Sequence, residues 1–191
     1  MLTHGAGGNA ESPALVAVAE AFAADGFTVL RCDLPFRQER RSGPPSPARA
    51  ERDRAGLRSA VGALRDRAPG RIVLGGHSYG GRQASMLAAE APDTADALLL
   101  LSYPLHPPKW PSRQRTAHFP ALRTPAVFVH GTRDPFASLD ALRTALRLIP
   151  APTALVVAQG APHDLTAGPG GPAALAALAA EAVTALRGLL R

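Results

Sequence analysis

Aromatic side chains make up only 5% of this 191-residue chain, Lys109 is its one lysine and Cys32 its one cysteine. With so few rings, any core must be filled by Ala, Leu and Val. A single cysteine excludes an intrachain disulfide, and with it a small secreted scaffold stapled by bridges. No apolar run reads as long enough to span a membrane. Ala21-Phe22-Ala23 looks like a signal-peptide cleavage site, but no basic leader precedes it, and Glu11, Glu20 and Asp25 interrupt the apolar stretch. A cytoplasmic protein is the expectation, with no membrane partner. The formal charge of +6 comes almost wholly from arginine. These arginines are dispersed, with modest clusters at Arg37, Arg40 and Arg41 and at Arg49, Arg52, Arg54 and Arg58, so no nucleic-acid partner is expected. No pair of histidines has metal-ligand spacing with a carboxylate or thiolate nearby, so no metal and no cofactor are expected.

What is present is an alternation. At 46% hydrophobic, the chain can build one buried core but hardly two, and residues 1–191 read as a single domain. Short apolar runs at 27–32, 72–76, 97–103, 126–130 and 154–158 read as strands. Helical patterns fall at 13–24, 48–67, 82–90, 139–148 and 172–190, and 38–47 reads as a proline-rich loop. Strands apolar on both faces and separated by helices argue for a mainly parallel sheet covered on both sides. Met1-Leu2-Thr3 reads as a first strand cut short, where a complete strand would be longer.

Gly76-His77-Ser78-Tyr79-Gly80 sits between the strand at 72–76 and the helix after it. A serine hydroxyl becomes a nucleophile when it projects from a sharp strand-to-helix turn beside a base, and flanking glycines permit that turn. Alone, the pentapeptide could equally be a glycine-rich turn with an idle serine. Two further residues follow later strands: Asp134 after 126–130 and His163 after 154–158. The order Ser, Asp, His is that of α/β-hydrolases, not of the chymotrypsin or subtilisin arrangements. An imidazole can take the serine proton while a carboxylate holds its tautomer. Asp134 could instead cap the helix after Pro135, and His163 could be an ordinary loop histidine. Asp33 is a weaker rival for the acid, Asp140 lies in a helix, and Asp164 is too near His163 in sequence to reach its ring easily.

His4-Gly5-Ala6-Gly7-Gly8 leaves the first strand with small side chains and open backbone N–H groups. Such groups suit a developing oxyanion, with Ala6 and Tyr79 as the candidate donors and Gly5 and Gly7 beside them. A flexible glycine turn is the plain alternative. No Gly-Lys-Ser/Thr follows, which excludes a Walker phosphate loop, and the third glycine of a dinucleotide fingerprint is missing. Among the other histidines, His77 is expected to pack under the serine and His130 to be structural.

Four stretches carry a likeness to a known group: Leu2-Thr3-His4-Gly5-Ala6-Gly7-Gly8-Asn9, Gly75-Gly76-His77-Ser78-Tyr79-Gly80-Gly81-Arg82, Leu101-Ser102-Tyr103-Pro104-Leu105-His106-Pro107-Pro108 and His130-Gly131-Thr132-Arg133-Asp134-Pro135-Phe136. The chain resembles the testis-expressed-protein-like α/β-hydrolase family, small and nearly lidless relatives of the dienelactone hydrolases. The resemblance implies an α/β-hydrolase fold with minimal or no lid. It implies Ser78 as nucleophile, Asp134 as acid, His163 as base, and an oxyanion hole from Gly5, Ala6 and Tyr79. It implies a small-molecule acyl substrate, although one eukaryotic relative belongs to a chromatin-modifying assembly. A catalytically silent interaction module is therefore the alternative to an ester or thioester hydrolase. The chain departs from the pattern in its short first strand and in the arginine-rich stretch after Pro107-Pro108-Lys109-Trp110. Leu105, His106 and Trp110 are expected to wall an open site.

Overall fold

In a computed structural model, residues 1–107, 109–165 and 171–191 are described. Pro108, which closes one of the four stretches above, lies outside them. The described strands are β1 (Leu2–Thr3), β2 (Arg31–Cys32), β3 (Val73–His77), β4 (Ala97–Leu101), β5 (Ala126–Gly131) and β6 (Thr153–Ala158). They form a parallel sheet of order β2-β1-β3-β4-β5-β6. The helices are α1 (Pro13–Ala24), α2 (Pro35–Glu39), α3 (Ala50–Arg67), α4 (Tyr79–Glu90), α5 (Leu139–Leu146) and α6 (Gly171–Leu189).

The pleat explains why β4 is apolar at every position. Leu98 and Leu100 point to the layer holding Leu57 of α3, Leu87 of α4 and Leu142 of α5, whereas Leu99 and Leu101 point to Leu15 of α1 and Val183 of α6. Alternating side chains thus feed two cores, one on each face. Between β4 and β5 the chain makes only a single 3-10 turn, Phe119–Ala121, among the described residues, so no lid domain covers the strand ends.

Three expectations change. The strand expected at 27–32 shrinks to Arg31–Cys32, because a two-residue β1 offers only the pairings Leu2↔Arg31 and Thr3↔Cys32. Part of the expected loop at 38–47 is already α2, which starts on Pro35, whose fixed φ suits a first helical turn. Finally, α6 is long and apolar enough, by length and composition, to cross a membrane. Here it packs Leu175, Ala179, Ala182, Val183 and Leu186 inward, while alanines on its outer face raise the hydropathy.

Candidate active site

β3 ends at His77, and the next residue turns the chain sharply into α4. Ser78 has φ 50° and ψ −114°, a left-handed conformation that costs a non-glycine residue on the order of 1–3 kcal/mol. Its N–H donates to Leu101 O of the neighbouring strand at 2.8 Å, which anchors the turn to the sheet. The following Gly80 packs against the exit of β1: a Cβ there would lie 2.5 Å from His4 O and 2.7 Å from Thr3 Cγ2. Nothing larger than glycine fits without moving backbone. The serine is therefore held at the carboxyl edge of the sheet, where parallel α/β folds place ligands.

Asp134 follows β5 and His163 follows β6, and the sheet order puts both loops beside this turn. His163 Nε2 lies 2.8 Å from Ser78 Oγ, and His163 Nδ1 lies 2.8 Å from Asp134 Oδ2. The Asp134 side chain is fully buried, and its Oδ1 accepts the N–H of Phe136 at 2.8 Å. A carboxylate so placed accepts a hydrogen bond from Nδ1–H, fixing the tautomer that leaves a lone pair on Nε2 aimed at the hydroxyl. The Phe136 ring stacks on the imidazole at 4.1 Å between centroids. Such a chain of groups can deprotonate a serine hydroxyl as it attacks a carbonyl. The rival acids stand elsewhere. Asp33 accepts the Ala10 N–H at 2.7 Å, and Asp140 pairs with Arg143 at 3.2 Å.

The glycine loop after β1 reaches the same point. His4 is buried, donates Nδ1–H to Gly5 O at 2.8 Å and accepts the Leu34 N–H on Nε2 at 3.1 Å. Burial, ahead of all other influences, pushes its pKa below the usual histidine value. Arg37 from α2 is only 7% exposed and donates to Gly8 O at 2.8 Å and Ala6 O at 2.9 Å. It also reaches Arg40 O and Gly43 O, each at 3.2 Å. With both carbonyls drawn toward the guanidinium, the loop is fixed on its outer side. Gly8 N–H closes the loop on Gly5 O at 3.1 Å. As the first residue of α4, Tyr79 has an N–H with no partner inside the helix.

Sequence reading missed three supports of this arrangement. Arg37 appeared only as part of a basic cluster. His77, expected under the serine, donates Nε2–H to His163 O at 2.7 Å, and burial above all lowers its pKa. Asp53, buried in α3, accepts the Tyr79 hydroxyl at 2.7 Å and the Phe36 N–H at 3.1 Å, joining α3 to the start of α4. Burial first, then the bond to Asp53, raises the Tyr79 pKa. Each link joins residues far apart in the chain, so no local pattern announces it.

A cleft of about 1250 Å³ opens over Ser78 and His163. Gly5, Ala6, Gly7 and Tyr79 line it. The three wall residues expected from sequence do not. Leu105 is fully buried in the core, and His106 is also buried, its Nδ1 3.0 Å from Pro107 O. Trp110 is 51% exposed, stacked under Arg113. Pro104 and Arg115 line the cleft, whereas Leu105 packs into the core beside Tyr103 and Phe119. His130, buried as expected of a structural residue, lies with Nε2 2.9 Å from Ala137 O. Among the described residues no group of three or more His, Cys, Asp or Glu could hold a metal ion.

The alpha/beta hydrolase domain family matches residues 1–188. A dienelactone hydrolase from Anabaena variabilis is 26% identical, with 96% of this chain and 84% of that one covered at a TM-score of 0.72. Est1E from Butyrivibrio proteoclasticus is 17% identical over 97% of this chain and 87% of its own, TM-score 0.73. A lidless α/β serine hydrolase from Xanthomonas campestris is 18% identical over 96% and 80%, TM-score 0.69. The last two share the fold alone.

Proposed function

Because the chain belongs to the alpha/beta hydrolase domain family, we propose that it is a serine hydrolase that cleaves a carboxylic ester, thioester or related acyl bond through an acyl-enzyme on Ser78. His163 takes the Ser78 proton as Oγ attacks the carbonyl carbon. Asp134 holds the imidazole in the required tautomer and stabilises its protonated form. The backbone N–H groups of Ala6 and Tyr79 receive the developing oxyanion. His163 then gives its proton to the leaving group, the acyl group stays on Ser78, and a water deprotonated by His163 releases the acid. Besides the substrate and one water, every group in these steps belongs to the protein, so the proposed chemistry calls for no metal and no cofactor.

One observation supports this reading above the others: the unbroken hydrogen-bond chain Ser78 Oγ–His163–Asp134, each link 2.8 Å, at the mouth of a cleft. A scaffold protein has no need of three distant residues in that register. Within the family, the four stretches quoted above favour the testis-expressed-protein-like group, and the lone Cys32 suits a cytoplasmic setting. The test is labelling with a fluorophosphonate probe, comparing wild type with Ser78→Ala and His163→Ala. Rapid stoichiometric labelling lost in both variants is expected. A folded wild type that stays unlabelled would instead favour the interaction module.

A further inference from the structure

The cleft beside Ser78 has three arginines in its lining: Arg54, Arg82 and Arg115. They do not have equal partners. Arg54 is neutralised, with Nε 3.0 Å from Glu90 Oε2 and Nη1 3.2 Å from Gln83 Oε1. Arg82 and Arg115 take part in no carboxylate ion pair among the described residues, and the Arg82 Nε is buried with no hydrogen-bond partner. Arg82 as a whole is half-buried, and an unmet donor on its buried Nε is costly unless something nearby supplies an acceptor.

Position makes the pair more than surplus charge. Arg82 stands one helical turn after Ser78, its N–H bonded to Ser78 O at 2.9 Å, so its base is roughly 6 Å along α4 from the serine. Arg115 is brought in by the Pro- and Arg-rich segment between β4 and β5. The Tyr103 hydroxyl donates to Arg115 O at 2.7 Å, and Arg115 N–H donates to Leu105 O at 2.7 Å. Those two bonds fold the segment back and hold the arginine over the cleft. Electrostatics agrees with the geometry. The Arg115 pKa is lowered by burial and next by Arg82, and His118 nearby is pushed down to about 4 by burial, then by Arg82 and Arg54. Glu51 and Asp164 also line the cleft.

We propose that Arg82 and Arg115 form an anion subsite in the cleft, and that the preferred substrate carries a carboxylate or phosphate a few bonds from its scissile acyl carbon. Guanidinium forks match both groups with paired N–H donors, and a partly dry cleft strengthens the contact. The anion is a recognition handle and takes no part in bond making. The substrate preference rests on the Ser78 hydrolase reading above; the binding of anions does not.

Two measurements test it. The first is calorimetric titration of Ser78→Ala with glutarate and, separately, inorganic phosphate at low salt, which needs no turnover and tells the two anions apart. Binding of at least one with Kd of about 1 mM or tighter is expected. It should weaken at least tenfold when Arg82→Gln or, as a second variant on a different element, Arg115→Gln is added. The second compares kcat/KM for matched esters, the p-nitrophenyl monoester of adipate against p-nitrophenyl hexanoate, and 4-acetoxybenzoate against phenyl acetate. An anionic preference of about tenfold in one pair is expected, shrinking in either arginine variant and at high salt. Hydrolysis without anion preference, together with no anion binding, overturns the subsite and leaves the hydrolase intact. Arginine-dependent anion binding without any hydrolysis sinks the enzyme reading and keeps the subsite.

Discussion

His77 Nε2 donates to the backbone carbonyl of His163 at 2.7 Å, so the residue before the serine holds the loop that carries the base. The two rings lie 5.1 Å apart. Replacing His77 by Phe removes the donor and leaves that carbonyl unpaired, a cost of about 1–3 kcal/mol. The expected result is a fluorophosphonate labelling rate about tenfold lower, with partial rescue in His77→Gln. Equal rates in wild type and His77→Phe would show that the loop holds itself.

Arg37 binds four backbone carbonyls, two of them in the glycine loop. Lysine keeps the charge but lacks the planar fork. Arg37→Lys is expected to slow labelling at least tenfold, by loosening the Ala6 donor. Stability should fall by about 1 kcal/mol in urea unfolding, because partly buried carbonyls lose a charged donor. A variant with normal stability and normal labelling contradicts the role assigned to this side chain.

Ser78 sits at φ 50°, where glycine is at ease and other residues are strained. Ser78→Gly and Ser78→Ala both remove the hydroxyl, yet only glycine relieves the backbone. Strain relief of about 1–3 kcal/mol, less about 0.5–1 for the entropy of an unfolded glycine, leaves the glycine variant more stable by about 1 kcal/mol. Thermal melting of the two variants checks the sign. A glycine variant that melts below the alanine one would mean the turn stores no strain.

His118 accounts for part of the acid sensitivity. Its folded pKa of about 4 is below the unfolded value of 6.5, so the unfolded chain binds the proton more readily. Its contribution is therefore complete above about pH 6.5 and is lost as pH falls toward 4. The slope reaches at most about 1.4 kcal/mol per pH unit, and partial exposure of the ring reduces it. Burial depresses His4 and His77 in the same direction. His118→Asn should flatten, not abolish, the loss of stability between pH 6.5 and 4.5 in urea titrations. An unchanged slope would place the sensitivity in other groups.

Much of the fold was legible because its signals are local. Leu98 to Leu101 are apolar without interruption, which only a strand covered on both faces needs, and the helices between strands have their own 3.6-residue period. Ser78 was legible for the same reason: a strand, a glycine-flanked turn and a helix are neighbours in sequence. Leu105 and Trp110 misled because an apolar or aromatic residue in a loop does not say which way it faces, and one turned into the core while the other turned outward.

The amino-acid sequence by itself determined the strand-helix alternation, the sharp turn at Ser78 and the order in which the serine, aspartate and histidine leave their strands, because each depends on near neighbours. Only the tertiary structure decided that Arg37 grips the glycine loop, that His77 supports the His163 loop and that Arg82 and Arg115 share one cleft. Those contacts join positions brought together by strand order and loop folding, and a side chain's partner across such a distance leaves no mark on the residues beside it.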